Sequence, residues 1–134
     1  MATYVLDTNT VSHVLRRDDR VMSRLERAVS ENAAMILCPV VYYEVQRGLV
    51  KKASSRLLGE FTRLATYVRW EDVRRADWDK AAELWVLAVQ AGAPHNDADV
   101  IIAAYALRRG AVLVTDNESH FGHFGVRIEN WCAG

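Results

Sequence analysis

Apolar positions along the chain come in two rhythms. Short unbroken runs alternate with longer stretches in which apolar residues return every three or four positions. The runs predict buried strands, and the stretches predict helices. Strands are expected at Thr3 to Leu6, Ala34 to Cys38, Tyr67 to Trp70, Ala111 to Thr115 and Val126 to Ile128. Helices are expected at Thr8 to Arg17, Val21 to Ser30, Val40 to Lys52, Arg56 to Ala65, Val73 to Ala91 and Asp97 to Arg109. Ala76, Ala81, Leu84, Trp85 and Ala88 carry the helical spacing of the fifth helix. The sixth is nearly all apolar and is closed by Gly110. Pro39 and Pro94, the two prolines, suit helix starts. Strands alternating with helices predict an α/β fold, a central parallel sheet flanked by helices on both faces. Nothing reads as a linker, a repeat or a low-complexity segment, so residues 1–134 are expected to form a single domain.

In open sheets of this kind ligands bind beyond the carboxyl ends of the strands. Two acidic residues stand there: Asp7 after the first strand, and Asp116 after Val112-Leu113-Val114-Thr115. Each also has a plain structural reading, Asp7 as a helix N-cap and Asp116 as a turn residue. Glu44 shares a helical stripe with Arg47 and Lys51, which fits a surface ion-pair row or a metal ligand beside two phosphate-attracting cations. Asp97 and Asp99 open the sixth helix. Asp99 falls on the face of Ile102, Ala103 and Ala106, whereas Asp97 falls with Ala104 and Arg108. A carboxylate on the small apolar face needs a compensating partner, so Asp99 is the expected ligand and Asp97 an auxiliary.

Charge sharpens this picture. Lysine plus arginine equal aspartate plus glutamate at 17 each, so there is no global attraction for a polyanion. Chemistry on nucleic acid would have to be local, and a carboxylate cluster holding a divalent cation would make it so. Converging carboxylates repel one another unless a cation is present. All-oxygen sites of this type suit Mg²⁺ or Mn²⁺ and hydrolyse phosphodiesters. The four histidines, His13, His95, His120 and His123, form no metal-ligand pattern and are expected to be structural or solvent-exposed. Cys38 and Cys132 are too few for a disulfide scaffold or a zinc site. Trp70, Trp78, Trp85 and Trp131 are expected in the core or on a dimer surface. No apolar run approaches the roughly 20 residues of a membrane helix, and a cytoplasmic protein with no membrane partner is expected.

Four segments together resemble PIN-domain proteins of the VapC type: Leu6-Asp7-Thr8-Asn9, Tyr42-Tyr43-Glu44-Val45-Gln46-Arg47-Gly48-Leu49, Asn96-Asp97-Ala98-Asp99-Val100-Ile101-Ile102-Ala103-Ala104, and Leu113-Val114-Thr115-Asp116-Asn117. The closing Ile128-Glu129-Asn130-Trp131 also looks like that family. The resemblance implies a compact PIN-like α/β fold and a Mg²⁺- or Mn²⁺-dependent endoribonuclease. It implies a toxin that blocks translation by cleaving RNA, is neutralised by a small cognate antitoxin, and forms a homodimer. Asp7, Glu44 and Asp99 match the family's three regular acidic positions, and Asp116 or Asn117 fills the fourth. Asp97, Thr115, Asn117 and Asn9 stand beside them as auxiliaries. An antitoxin arginine could enter such an acidic crevice, anchored by an apolar groove around Val11, Val14, Leu15, Val45 and Leu49.

Two other readings compete. A dehalogenase-like phosphatase needs a second aspartate two residues after the first, where Asn9 stands; a receiver domain needs a late lysine, and none follows Asp99. A PIN-fold RNA- or protein-binding module without nuclease activity is the remaining alternative. Such a module has no need of four acidic residues.

Overall fold

The computed structural model describes residues 1–133. Its strands are β1 (Thr3–Leu6), β2 (Ala34–Leu37), β3 (Arg69–Trp70), β4 (Val112–Val114) and β5 (Ile128–Glu129). They pair in the order β3-β2-β1-β4-β5, every pairing parallel. Val5 of β1 lies opposite both Ile36 of β2 and Leu113 of β4, and all three are buried. The central strands therefore read as unbroken apolar runs, because both faces are covered.

The helices are α1 (Thr8–Leu15), α2 (Asp19–Ser30), α3 (Pro39–Lys52), α4 (Ser55–Tyr67), α5 (Arg75–Ala91), α6 (Asp97–Arg108) and α7 (Glu118–Phe121). Local chemistry sets their ends. Asp7, Asp18, Ser54 and Asn96 each cap a helix N-terminus with a side-chain oxygen. Pro39 occupies the first turn of α3. Gly92 and Gly110 take left-handed conformations, φ +62° and +61°, just past α5 and α6. Helix α6 is the central one, with Ile102 through Ala106 fully buried.

Two expectations are corrected. Tyr67 belongs to α4, whose last turn shortens β3 to two residues. Pro94 does not start a helix; it lies in an irregular segment, and α6 begins three residues later on the Asn96 cap. Helix α7 was not anticipated from the sequence, since four residues give no periodicity.

The strand order reverses at β1. The chain runs outward from β1 through β2 to β3, then crosses over to β4 and β5 on the other side. Right-handed crossovers place the connections of the two halves on opposite faces. A crevice therefore opens between the carboxyl ends of β1 and β4.

Far from that crevice, α5 and α6 bury a charge. Asp77 is fully buried and accepts from Arg108 Nη1 at 2.9 Å, from Arg109 Nη1 at 2.9 Å and Nη2 at 3.0 Å, and from the Arg74 amide at 2.8 Å. The Arg109 guanidinium lies 3.6 Å from the Tyr105 ring centroid, and the Tyr105 hydroxyl donates to the Glu71 carbonyl at 2.7 Å. Burial pushes the Asp77 carboxyl up, but the bonds from Arg109, Arg74 and Arg108 outweigh it, and its pKa lies below the ordinary carboxylate value.

Candidate active site

Asp7 is the first residue past β1, and its amide still donates to the Val114 carbonyl at 2.9 Å, which ties it to the end of β4. Its carboxylate is 4% exposed. Oδ1 accepts from the Thr8 amide at 2.8 Å, which is the helix cap expected from sequence. Oδ2 accepts from the buried Thr115 hydroxyl at 2.8 Å. Burial pushes the carboxyl up to about 6; the Thr115 and Thr8 bonds pull against it, and the charges of Asp99 and Glu44 push further. Capping a helix and standing in an acidic site are thus compatible roles for one side chain.

Thr8 links this residue to the next. Its hydroxyl donates to Glu44 Oε1 at 2.7 Å across from α1 to α3. The other Glu44 oxygen lies 3.7 Å from Arg47 Nη2, one turn on. Asp99 stands in the first turn of α6. The Asn96 side chain holds it twice, accepting from its amide at 2.8 Å and donating to its Oδ2 at 2.9 Å. His120, from α7, lies 3.3 Å from that same oxygen. Asp97 goes elsewhere: it is exposed and lines an apolar groove with Trp78, Trp85, Val86, Val100 and Ile101.

Asp116 is set apart. Asn9 donates to its Oδ1 at 3.3 Å, and His13 Nε2 lies 3.0 Å from its Oδ2. The Cys132 sulfur joins them; the three ligand atoms lie within 4.8 Å of one another. Asn117 presents its amide to Thr115 Oγ1 at 3.0 Å. The charges of Glu44 and Asp99 therefore bear on Asp7, while Asp116 turns toward a histidine and a thiol.

Sequence reasoning missed the roles of Thr8, His13 and His120, whereas the capping spacing of Asn96 and Asp99 could be read from the sequence. His13, expected to be structural or solvent-exposed, groups with Asp116 and Cys132, and the three ligand atoms are close enough that they could hold a metal ion. One signal was available: His13 lies four residues after Asn9 and so shares its helix face. The proposed groove is corrected too. Val11, Val45 and Leu49 are core residues, whereas Val14 and Leu15 border a groove between α1, α2 and α4 with Met22, Leu25, Leu64 and Tyr67. Of the tryptophans, Trp131 is buried and Trp70, Trp78 and Trp85 are exposed.

A sequence description of the PIN domain matches residues 4–125, which takes in Asp7, Glu44, Asp97, Asp99 and Asp116. The chain belongs to the PIN-domain family. Among its PIN-domain relatives is ribonuclease VapC2 of Haemophilus influenzae, 27% identical over 135 residues that span 98% of this chain and 99% of the relative. Among solved structures, VapBC from Salmonella typhimurium in its DNA-bound form superposes with a TM-score of 0.86 at 26% identity, covering 98% of this chain and 100% of the other. VapBC2 from Rickettsia felis, bound to a DNA fragment from its promoter, gives 0.83 at 25% identity over 96% and 98%.

The PIN fold raises the question of a divalent metal, and the residues present fit one. The donors around Asp7 are a hydroxyl, an amide and further carboxylates, all hard oxygen chemistry. Two negative neighbours bear on a buried carboxylate, and among the described residues the one guanidinium paired with the set, Arg47, is on the far oxygen of Glu44. A bound cation would balance such a set.

Proposed function

We propose that this PIN-domain protein is a Mg²⁺- or Mn²⁺-dependent endoribonuclease, the toxin of a toxin–antitoxin pair. The observation that carries the reading is the buried Asp7 carboxylate between β1 and β4, raised to about 6 by burial and by the facing Asp99 and Glu44. Asp7 and Asp99 would hold the cation, Glu44 would complete the set, and Asp116 would border it. A bound divalent ion of this kind lowers the pKa of a water and stabilises a leaving phosphate oxygen. The protein supplies the positioning. Thr115 and the Thr8 amide fix both oxygens of Asp7, Thr8 aims Glu44, and Asn96 fixes Asp99. Arg47 and Lys51 lie on the rim of α3, where they would meet the RNA backbone and offset a neutral overall charge.

The same reading includes a partner. The relatives' VapBC structures and the groove lined by Val14, Leu15, Met22 and Leu25 support an antitoxin segment packed across α1, α2 and α4. Homodimer formation is supported by the exposed apolar face of α5, where Trp78, Trp85, Val86 and Val89 are each 44–50% exposed.

The test is cleavage of a mixed RNA pool by the purified chain. Products should require Mg²⁺ or Mn²⁺ and vanish with chelator. Asp99→Asn should cut the rate by about 10³-fold or more, whereas Asp97→Asn should cost less than about tenfold. Chelator-resistant cleavage, or equal loss in the two variants, would overturn the assignment; RNA binding without cleavage would favour the binding-module alternative.

A further inference from the structure

At the border of the Asp7 crevice three side chains converge from three different segments: His13 on α1, Asp116 past β4 and Cys132 past β5. We propose that they form a second metal site, one for a borderline-soft divalent cation such as Zn²⁺. The fold brings them together. β1, β4 and β5 are adjacent and parallel, so the segments that follow them emerge along one edge of the sheet. His13 Nε2 and Asp116 Oδ2 are 3.0 Å apart, and the Cys132 sulfur lies within 4.8 Å of both. Bond lengths of about 2.0–2.3 Å place neighbouring ligands of a tetrahedral zinc roughly 3.5 Å apart, so a small inward movement of the thiol closes the set.

The ligands are held in place beforehand. The Cys132 amide donates to Asn130 Oδ1 at 2.9 Å, and its carbonyl accepts from Arg20 at 3.0 Å. The preceding Trp131 is buried and anchors the segment. Asn9 fixes the second oxygen of Asp116. One sulfur, one nitrogen and one carboxylate oxygen suit Zn²⁺ far better than Mg²⁺, and three protein ligands leave a fourth position for water.

Proton accounting adds a feature. Arg16 Nη2 lies 3.0 Å from His13 Nδ1, and a guanidinium only donates, so Nδ1 accepts and Nε2 carries the hydrogen toward Asp116. On binding, the thiol proton leaves to solvent, the ring proton passes from Nε2 to Nδ1, and the exposed Arg16 swings away. Arg16 thus opposes the metal. Asp116 held by Zn²⁺ is also withdrawn from the crevice, so Zn²⁺ would slow cleavage; this last consequence alone rests on the nuclease reading.

The test uses Co²⁺ as a spectroscopic stand-in, titrated into the reduced full-length chain with Mg²⁺ in excess. The expected result is a thiolate-to-cobalt charge-transfer band with intense tetrahedral d–d absorption, displaced by Zn²⁺. Cys132→Ser should abolish the charge-transfer band, His13→Gln should weaken binding at least ~10-fold, and Arg16→Ala should strengthen it. Asp99→Asn should leave the spectrum unchanged, which separates this site from the crevice. Thermal melts establish that each variant is folded; should Cys132→Ser unfold, His13→Gln and Arg16→Ala decide. Weak octahedral absorption alone, a band that persists in folded Cys132→Ser, or a spectrum lost in Asp99→Asn would overturn the proposal.

Discussion

Asp7 and Asp77 are both buried aspartates, 4% and 0% exposed, yet their surroundings have opposite sign. Asp77 meets two guanidinium groups and a backbone amide, and its pKa falls. Asp7 meets a hydroxyl, a backbone amide and two further carboxylates, and its pKa climbs to about 6. Burial alone does not mark a functional carboxylate. On the proposed reading, what marks one is a buried charge whose neighbours are themselves negative, so that a bound cation would compensate it.

The largest expected effect comes from breaking the satisfied partner. Asp77→Ala should destabilise the fold by about 3–5 kcal/mol, because it strands a buried guanidinium. The Arg109 side chain is only 10% exposed and has little water to fall back on. Urea unfolding measures this, and a loss below about 1 kcal/mol would mean that the α5–α6 ion cluster contributes little.

Removing the other aspartate should do the reverse. With metal absent, Asp7→Asn should stabilise the protein by on the order of 2 kcal/mol at neutral pH, since asparagine still caps α1 and carries no charge to bury. The sign follows from linkage. The folded carboxyl titrates at about 6 against an ordinary 3.8, so the folded state binds this proton more tightly. Its destabilising contribution is absent below about 3.8, grows between there and about 6, and is complete above. Asp77 contributes the opposite slope: its stabilisation is present above the ordinary carboxylate pKa and is lost as pH falls through its lowered folded value. Thermal unfolding in chelator across that range should show Asp7→Asn gaining over wild type as pH rises. A constant difference would break the comparison.

The smallest effect is expected at the link between carboxylates. Thr8→Val should cost about 1 kcal/mol of stability and roughly tenfold in cleavage, with Thr8→Ser restoring both. A hydroxyl that only positions Glu44 should change the rate without changing the metal requirement.

Much of this architecture was legible along the chain. The strands nearest the centre, β1, β2 and β4, are apolar on both faces and read plainly. Strand β3 was overextended because Tyr67 and Val68 suit a strand locally, while α4 packs far enough to claim Tyr67. Asp7 and Asp116 could be singled out because a parallel sheet makes strand ends special. The partners could not. Thr8 reaches Glu44 across 36 residues, and His13 reaches Asp116 across 103, distances that only the folded sheet closes. Asp77 escaped notice for a related reason. On a helix wheel it looks like any first-turn acid, and its burial depends on two arginines more than thirty residues away.

The common direction of the strands has a practical side. The backbone comes into the sheet at Thr3, at the end opposite the crevice, and leaves at Glu129 close to it. An affinity tag or fluorescent reporter joined ahead of Met1, which is 97% exposed, would trail from the inert end. The same cargo joined behind Gly134 would follow Cys132 by two residues and so hang near Asp116, where a polyhistidine tail would bring its own imidazoles within reach of the very metals under study.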